Sequence, residues 1–165
     1  MSTLRRLSLK RAFSLLALAA LVPLASACTN ITGLDGELRG EQRDLSRARR
    51  TWSSTSISDY EFVVRRDCFC TLGGVAVRVV VQNYIVVSRE IDGTSTPIPS
   101  SLGFLYPSID GLFSVIQNAI DTRAYQIDTQ YDDRYGFPTD VWIDYNQRTA
   151  DEEEGYTLIR FRSLR

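Results

Sequence analysis

The chain has 165 residues, with 19 Lys+Arg against 20 Asp+Glu, no histidine and a formal net charge of −1. The basic residues Arg5, Arg6, Lys10 and Arg11 are gathered at the start, so the chain beyond residue 27 has 15 arginines, 20 acids and no lysine, a net charge of −5. Without histidine or lysine that part cannot build a Ser/His/Asp or Cys/His centre, an imidazole metal site, a Schiff base or a P-loop, and its acidity excludes a strongly basic nucleic-acid binder.

Residues 1–28 read MSTLRRLSLKRAFSLLALAALVPLASAC. A basic region ends at Arg11, an apolar run follows from Ala12 to Leu24, and small residues lead into Cys28. The run suits a secretory signal and is short for a membrane span. Ala25-Ser26-Ala27-Cys28 resembles the bacterial lipobox, departing from it at Ala25, where leucine is usual. The resemblance implies a signal peptide over 1–27, cleavage before Cys28 and lipidation of that thiol. An ordinary signal cut near Ala27 and an uncleaved anchor remain open beside it. Arg5-Arg6 only loosely resembles a twin-arginine export signal, since Ser8 stands where an apolar residue is expected. Thr29 follows the cysteine in place of the Asp that resembles an inner-membrane retention signal. The expected address is therefore the outer membrane, facing the periplasm. Acyl chains gain about 0.8 kcal/mol per buried CH₂, and stable anchoring takes more than one chain.

Residues 28–40 carry three glycines and little apolar content, and read as a flexible tether after the lipidated cysteine. Residues 41–165 suffice for a single domain. Over 41–53 a helix is expected, with Leu45, Ala48 and Trp52 on one face. The Arg47–Arg50 cluster reads either as a solvated face or as a contact for anionic lipid. Tyr60, Phe62 and Val64 alternate with Glu61 and Arg65 as a half-buried strand over 58–68. Val75, Val77, Val79 and Val81 mark a second strand and 84–91 a third, joined by a tight turn at Gln82-Asn83. Tyr84 is a poor second residue for that turn. Prolines at 97, 99 and 107 keep 92–107 in a loop. Ser108 or Asp110 caps a helix whose apolar stripe is Ile109, Leu112, Phe113, Ile116, Ala119 and Ile120. Three more strands carry Tyr125/Ile127/Thr129/Tyr131, then Val141/Ile143/Tyr145 with Trp142 opposite, then Thr157/Ile159/Phe161. The expected class is α+β: an antiparallel sheet of about six strands in two three-stranded sets, with an N-terminal and a central helix packed on it.

Several segments, in this order and spacing, resemble an uncharacterised family of bacterial lipoproteins, the domain of unknown function of family 6174 type. They are Trp52 with Ile57-Ser58-Asp59-Tyr60, Cys68-Phe69-Cys70, Val77-Arg78-Val79, Ile109-Asp110-Gly111-Leu112-Phe113, and Tyr135-Gly136-Phe137-Pro138 leading to Ile143-Asp144-Tyr145. The resemblance covers about Arg49 to Phe161. Tyr84 departs from it, since glycine is expected after the asparagine. The family implies a location and a fold, and lends no mechanism.

Cys68-Phe69-Cys70 is the chemically loaded motif. With Cys28 given to lipid, an even pair remains in an oxidising compartment, which favours a disulfide. Residues i and i+2 of a regular strand lie at the edge of disulfide reach, so the bond requires a bend. Reduced thiols, a redox-active pair and soft-metal binding such as Cu(I) stay open. Tyr135, Phe137 and Trp142, beside Asp132, Asp133, Asp140 and Asp144, form a possible ligand surface; the competing reading is that they fill the core and cover the sheet. Asp128 with Asp132-Asp133, and the run Asp151–Glu154, lack calcium-loop spacing and read as solvated. A carboxylate pair for glycoside hydrolysis would need two acids converging in a cleft. No catalytic residue, metal or cofactor is assigned. The sequence supports a membrane-anchored, non-enzymatic envelope module with a protein, peptide or cell-wall ligand. The alternative is an envelope redox or copper-handling protein using Cys68 and Cys70.

Overall fold

Alternating apolar residues build the sheet. A computed structural model describes residues 29–149 and 151–164, with side chains from residue 33. The segment read as a signal peptide, and Cys28, lie outside the described residues. Leu34–Arg165 form one compact unit and Met1–Gly33 another, of which only the opening of the first helix, from Thr29, is described. The elements in order are α1 (Thr29–Ser54), β1 (Tyr60–Asp67), β2 (Ala76–Gln82), β3 (Ile85–Ile91), a 3-10 turn (Ser100–Leu105), α2 (Ile109–Asp121), β4 (Gln126–Tyr131), β5 (Pro138–Asp144) and β6 (Glu154–Ser163). All six strands are antiparallel, in the order β3-β2-β1-β6-β5-β4. Two three-stranded meanders therefore meet at β1–β6, and with two helices packed on the sheet the class is α+β.

Both helices cover the same face. Tyr60, Phe62, Val64, Val77, Val79, Val81, Ile127, Val141, Ile143 and Tyr156 point from the strands into a core completed by the two helix stripes. Leu45, Ala48 and Trp52 are buried on α1, and the six expected apolar positions are buried on α2. Ser108 caps α2, its side chain accepting from the Gly111 amide at 3.1 Å. Gly111 allows that turn to close, since a Cβ there would stand 2.5 Å from Pro107 Cβ.

Two elements differ from expectation. First, the glycine-rich segment read as a tether is helical, and α1 begins at Thr29 where the sequence suggested residue 41. Its stripe extends upstream through Leu34 and the buried Leu38, which fall in step with Leu45, and Asp35 pairs with Arg123 at 2.6 Å. Tertiary packing here outweighs the low helix propensity of Gly33, Gly36 and Gly40. Second, the inward set on β6 is Tyr156, Leu158 and Phe161, whereas Thr157, Ile159 and Phe161 were expected. Phe62 pairs with Phe161 but Val64 pairs with Leu158, with the register shift between Val63 and Val64. The extra residue on β6 is a bulge, which flips the phase of everything before it and leaves Ile159 exposed.

Candidate functional site

Among the described residues no element covers the second face of the sheet, and the candidate site lies on this open side. Its neighbours follow from strand register. Asp140 faces Thr157, Trp142 faces Gly155, and Arg65 faces Thr157 across the β1–β6 seam. With no side chain at 155, the Trp142 ring lies over that residue: a Cβ there would be 3.0 Å from Trp142 Cε3 and 3.1 Å from Asp67 Cβ. The Thr157 hydroxyl stands 3.0 Å from Asp67 Oδ2 and 3.2 Å from Asp140 Oδ2, and Arg65 Nε donates to Asp67 Oδ1 at 2.8 Å. Hydrogen bonding to that carboxylate raises the Arg65 pKa above its ordinary value. Trp142 keeps 38% of its surface exposed. An aromatic platform thus sits beside two carboxylates, a hydroxyl and a guanidinium, all on rigid strands.

The other half of the open face is an ionic lattice. Arg78 donates to Glu90 at 2.5 Å, Arg162 pairs with Glu61 at 2.9 Å and Arg160 with Asp92 at 2.8 Å. Apart from Glu90, these residues border a depression of about 610 Å³ that Gly93 and Thr94 also line. Arg78 with Glu90 and Glu61 with Arg162 are in cross-strand register, and each arginine is matched by an acid, so this half is polar but balanced.

The three residues expected to share a ligand surface are separated. Trp142 is on the open face. Phe137 is buried on the helix side, its ring 4.6 Å from Phe161 and 6.2 Å from Trp52. Tyr135 is half-buried, stacked on Phe137 at 6.2 Å, and with Phe137 and Ile159 lines a separate cleft of about 280 Å³. The hairpin turn curls onto α1 at Gly136, whose φ is +79° and where a Cβ would meet the Ala48 carbonyl oxygen at 2.5 Å. Asp132 is used within that turn, accepting from the amides of Arg134 at 3.0 Å and Tyr135 at 2.6 Å. Among the described residues no group of three or more Cys, Asp or Glu side chains is placed to hold a metal ion. The sequence did not mark Asp67, Arg65 or Thr157; only register across β1, β6 and β5 brings them together.

Cys68 and Cys70 sit where β1 ends and the chain bends, with Cα atoms 5.3 Å apart and sulfurs at disulfide distance. The bend is fixed by Gly74 N donating to the Arg66 carbonyl at 2.8 Å and Gly73 N to the Cys70 carbonyl at 3.0 Å. Glycine is needed at 73, because a Cβ would stand 2.3 Å from the Cys68 carbonyl oxygen. Arg66 lies beneath the bend. Its NH1 donates to Cys70 Sγ at 3.3 Å, its NH2 to Glu154 Oε2 at 2.7 Å and its Nε to Tyr156 Oη at 3.3 Å. Burial opposes the Arg66 charge, but Glu154 and Tyr156 outweigh it and hold the pKa above its ordinary value. Burial, with Glu154 acting the same way, raises the Tyr156 phenol to about 12. Glu154, expected in a solvated acidic run, is thus an inward partner.

A family model matches residues 44–163, under the description of a family of unknown function, DUF6174. The chain belongs to this DUF6174 family. The match takes in both three-stranded sets, α2, the C-terminal part of α1 and the Cys68–Cys70 bend. No curated protein and no solved structure matches the chain.

Proposed function

We propose that this DUF6174 protein is a lipid-anchored module of the bacterial envelope that binds a cell-wall ligand across its open sheet face and performs no catalysis. Lipidation at Cys28 would hold it at the outer membrane, facing the periplasm. The observation that carries the binding reading is the Trp142 patch. An indole face offers contact to the apolar face of a sugar ring, while Asp67, Asp140, Thr157 and Arg65 offer hydrogen-bond acceptors and donors around it. The patch lies on strands, so it is pre-organised.

Two measurements test this. The Cys28→Ala protein is expected in the soluble fraction of cells, and an unchanged membrane fraction would defeat the anchoring. The chain is expected to co-sediment with purified peptidoglycan, and Trp142→Ala to reduce this at least tenfold. Equal sedimentation by the variant, or none by the parent, defeats the glycan reading.

A further inference from the structure

We propose that Cys68 and Cys70 form a redox-active disulfide that exchanges with the dithiol of another protein, with Cys70 as the leaving sulfur. This does not rest on the glycan reading.

Three observations point away from a purely structural bond. A bridge over one residue, Phe69, closes so short a loop that it removes little entropy from the unfolded chain. The bend it spans is already fixed by the Gly73 and Gly74 amides and by the Tyr106 hydroxyl, which donates to the Leu72 carbonyl at 3.1 Å. The pair is also accessible, with Cys70 exposed and Cys68 half-buried. Exposed disulfides are the labile, regulatory or catalytic ones.

Arg66 and Phe69 supply the chemistry. Arg66 NH1 contacts Cys70 Sγ, and no such contact is made to Cys68. A cation beside one sulfur lowers that thiol's pKa and makes it the better leaving group. Phe69, between the two cysteines in sequence, is 86% exposed, an apolar anchor for an incoming polypeptide. In the first step the partner's thiolate attacks Cys68 Sγ. The Cys68–Cys70 bond breaks and Cys70 leaves as a thiolate facing Arg66. The partner's second thiolate then attacks its own sulfur in the mixed disulfide and releases Cys68. The partner dithiol is oxidised to a disulfide, and the Cys68–Cys70 pair takes up the two electrons, with protons from solvent completing the thiols. Glu154, on the same guanidinium at 2.7 Å, tempers the charge at Cys70.

The test is redox equilibration of the full chain in glutathione buffers, read by alkylation and mass of the peptide carrying Cys68 and Cys70. Reversible reduction is expected. Arg66→Gln should move the equilibrium constant about tenfold toward the disulfide, or about 30 mV, and Arg66→Lys should restore most of it. Glu154→Gln, which keeps Arg66, should move it the opposite way and serves if Arg66→Gln does not fold. In the reduced parent, Cys70 should alkylate faster than Cys68 near neutral pH. A pair that stays oxidised at every glutathione ratio overturns the proposal. So does an equilibrium left unmoved by both Arg66→Gln and Glu154→Gln together with equal alkylation of the two thiols.

Discussion

Single residues mark the places where this backbone is strained or crowded. Between β2 and β3 the turn places Asn83 at φ +49° and Tyr84 at φ +65°. Both central residues are left-handed, as a two-residue hairpin turn matched to strand twist requires. Asparagine tolerates that conformation; a tyrosine Cβ crowds the following carbonyl, at a cost of roughly 1–2 kcal/mol. Tyr84 is 61% exposed, and its amide donates to the Ser58 carbonyl at 2.9 Å, a bond that needs no side chain. Tyr84→Gly should therefore raise stability by about 1 kcal/mol, the strain relief less the extra freedom of glycine when unfolded. Urea unfolding followed by circular dichroism measures it, and a lower midpoint would show that the tyrosine ring supplies packing that offsets its strain. The misfit at Tyr84 was legible in the sequence. Gly73 and Gly136 were not legible as crowded positions, because what crowds them, the Cys68 carbonyl and the α1 backbone, comes from the fold.

At the scale of elements, helix α1 holds the clearest lesson. Gly33, Gly36 and Gly40 suggested a tether, yet their helix is held by Leu34, Leu38 and the Asp35–Arg123 pair. A Cβ added at Gly36 or Gly40 would meet nothing within 4 Å. Glycine inside a helix costs about 0.5–1 kcal/mol relative to alanine, so Gly36→Ala with Gly40→Ala should stabilise by about 1–2 kcal/mol. Thermal unfolding of the double variant is the check, and an unchanged midpoint would mean that this part of α1 is frayed in solution. Periodicity found α2 and the strands because each carries a full apolar set at its own spacing. It missed the start of α1, where two leucines stand among three glycines, and the phase of β6, because a bulge inserts one residue that no alternation pattern records. For the candidate site, alternation correctly put Trp142 opposite Val141 and Ile143. It could not show that the helices cover one face only, so Phe137 was grouped with a residue on the other side of the sheet.

For the whole molecule, the question is what holds the domain at a membrane if the proposed lipid is removed. Beyond residue 27 the chain carries −5, which opposes approach to anionic headgroups. The arginine cluster of α1 does not reverse this. Arg47 pairs with Asp44 at 3.1 Å, and Arg49 turns inward, donating to the Phe113 carbonyl at 3.0 Å with its guanidinium 5.5 Å from that ring. Of the three cluster arginines only Arg50 is not committed in this way, and one basic residue near a charged surface contributes about 1 kcal/mol. At an ionic strength of about 0.15 M the screening length is about 8 Å, so more distant arginines add little. Among the described residues no helix is long and apolar enough to cross a bilayer. The chain starting at Thr29 should therefore not sediment with phosphatidylglycerol vesicles at that ionic strength. If it does bind, and Arg47→Glu with Arg50→Glu abolishes binding, then α1 is a membrane contact in its own right and the acyl anchor is not the sole attachment.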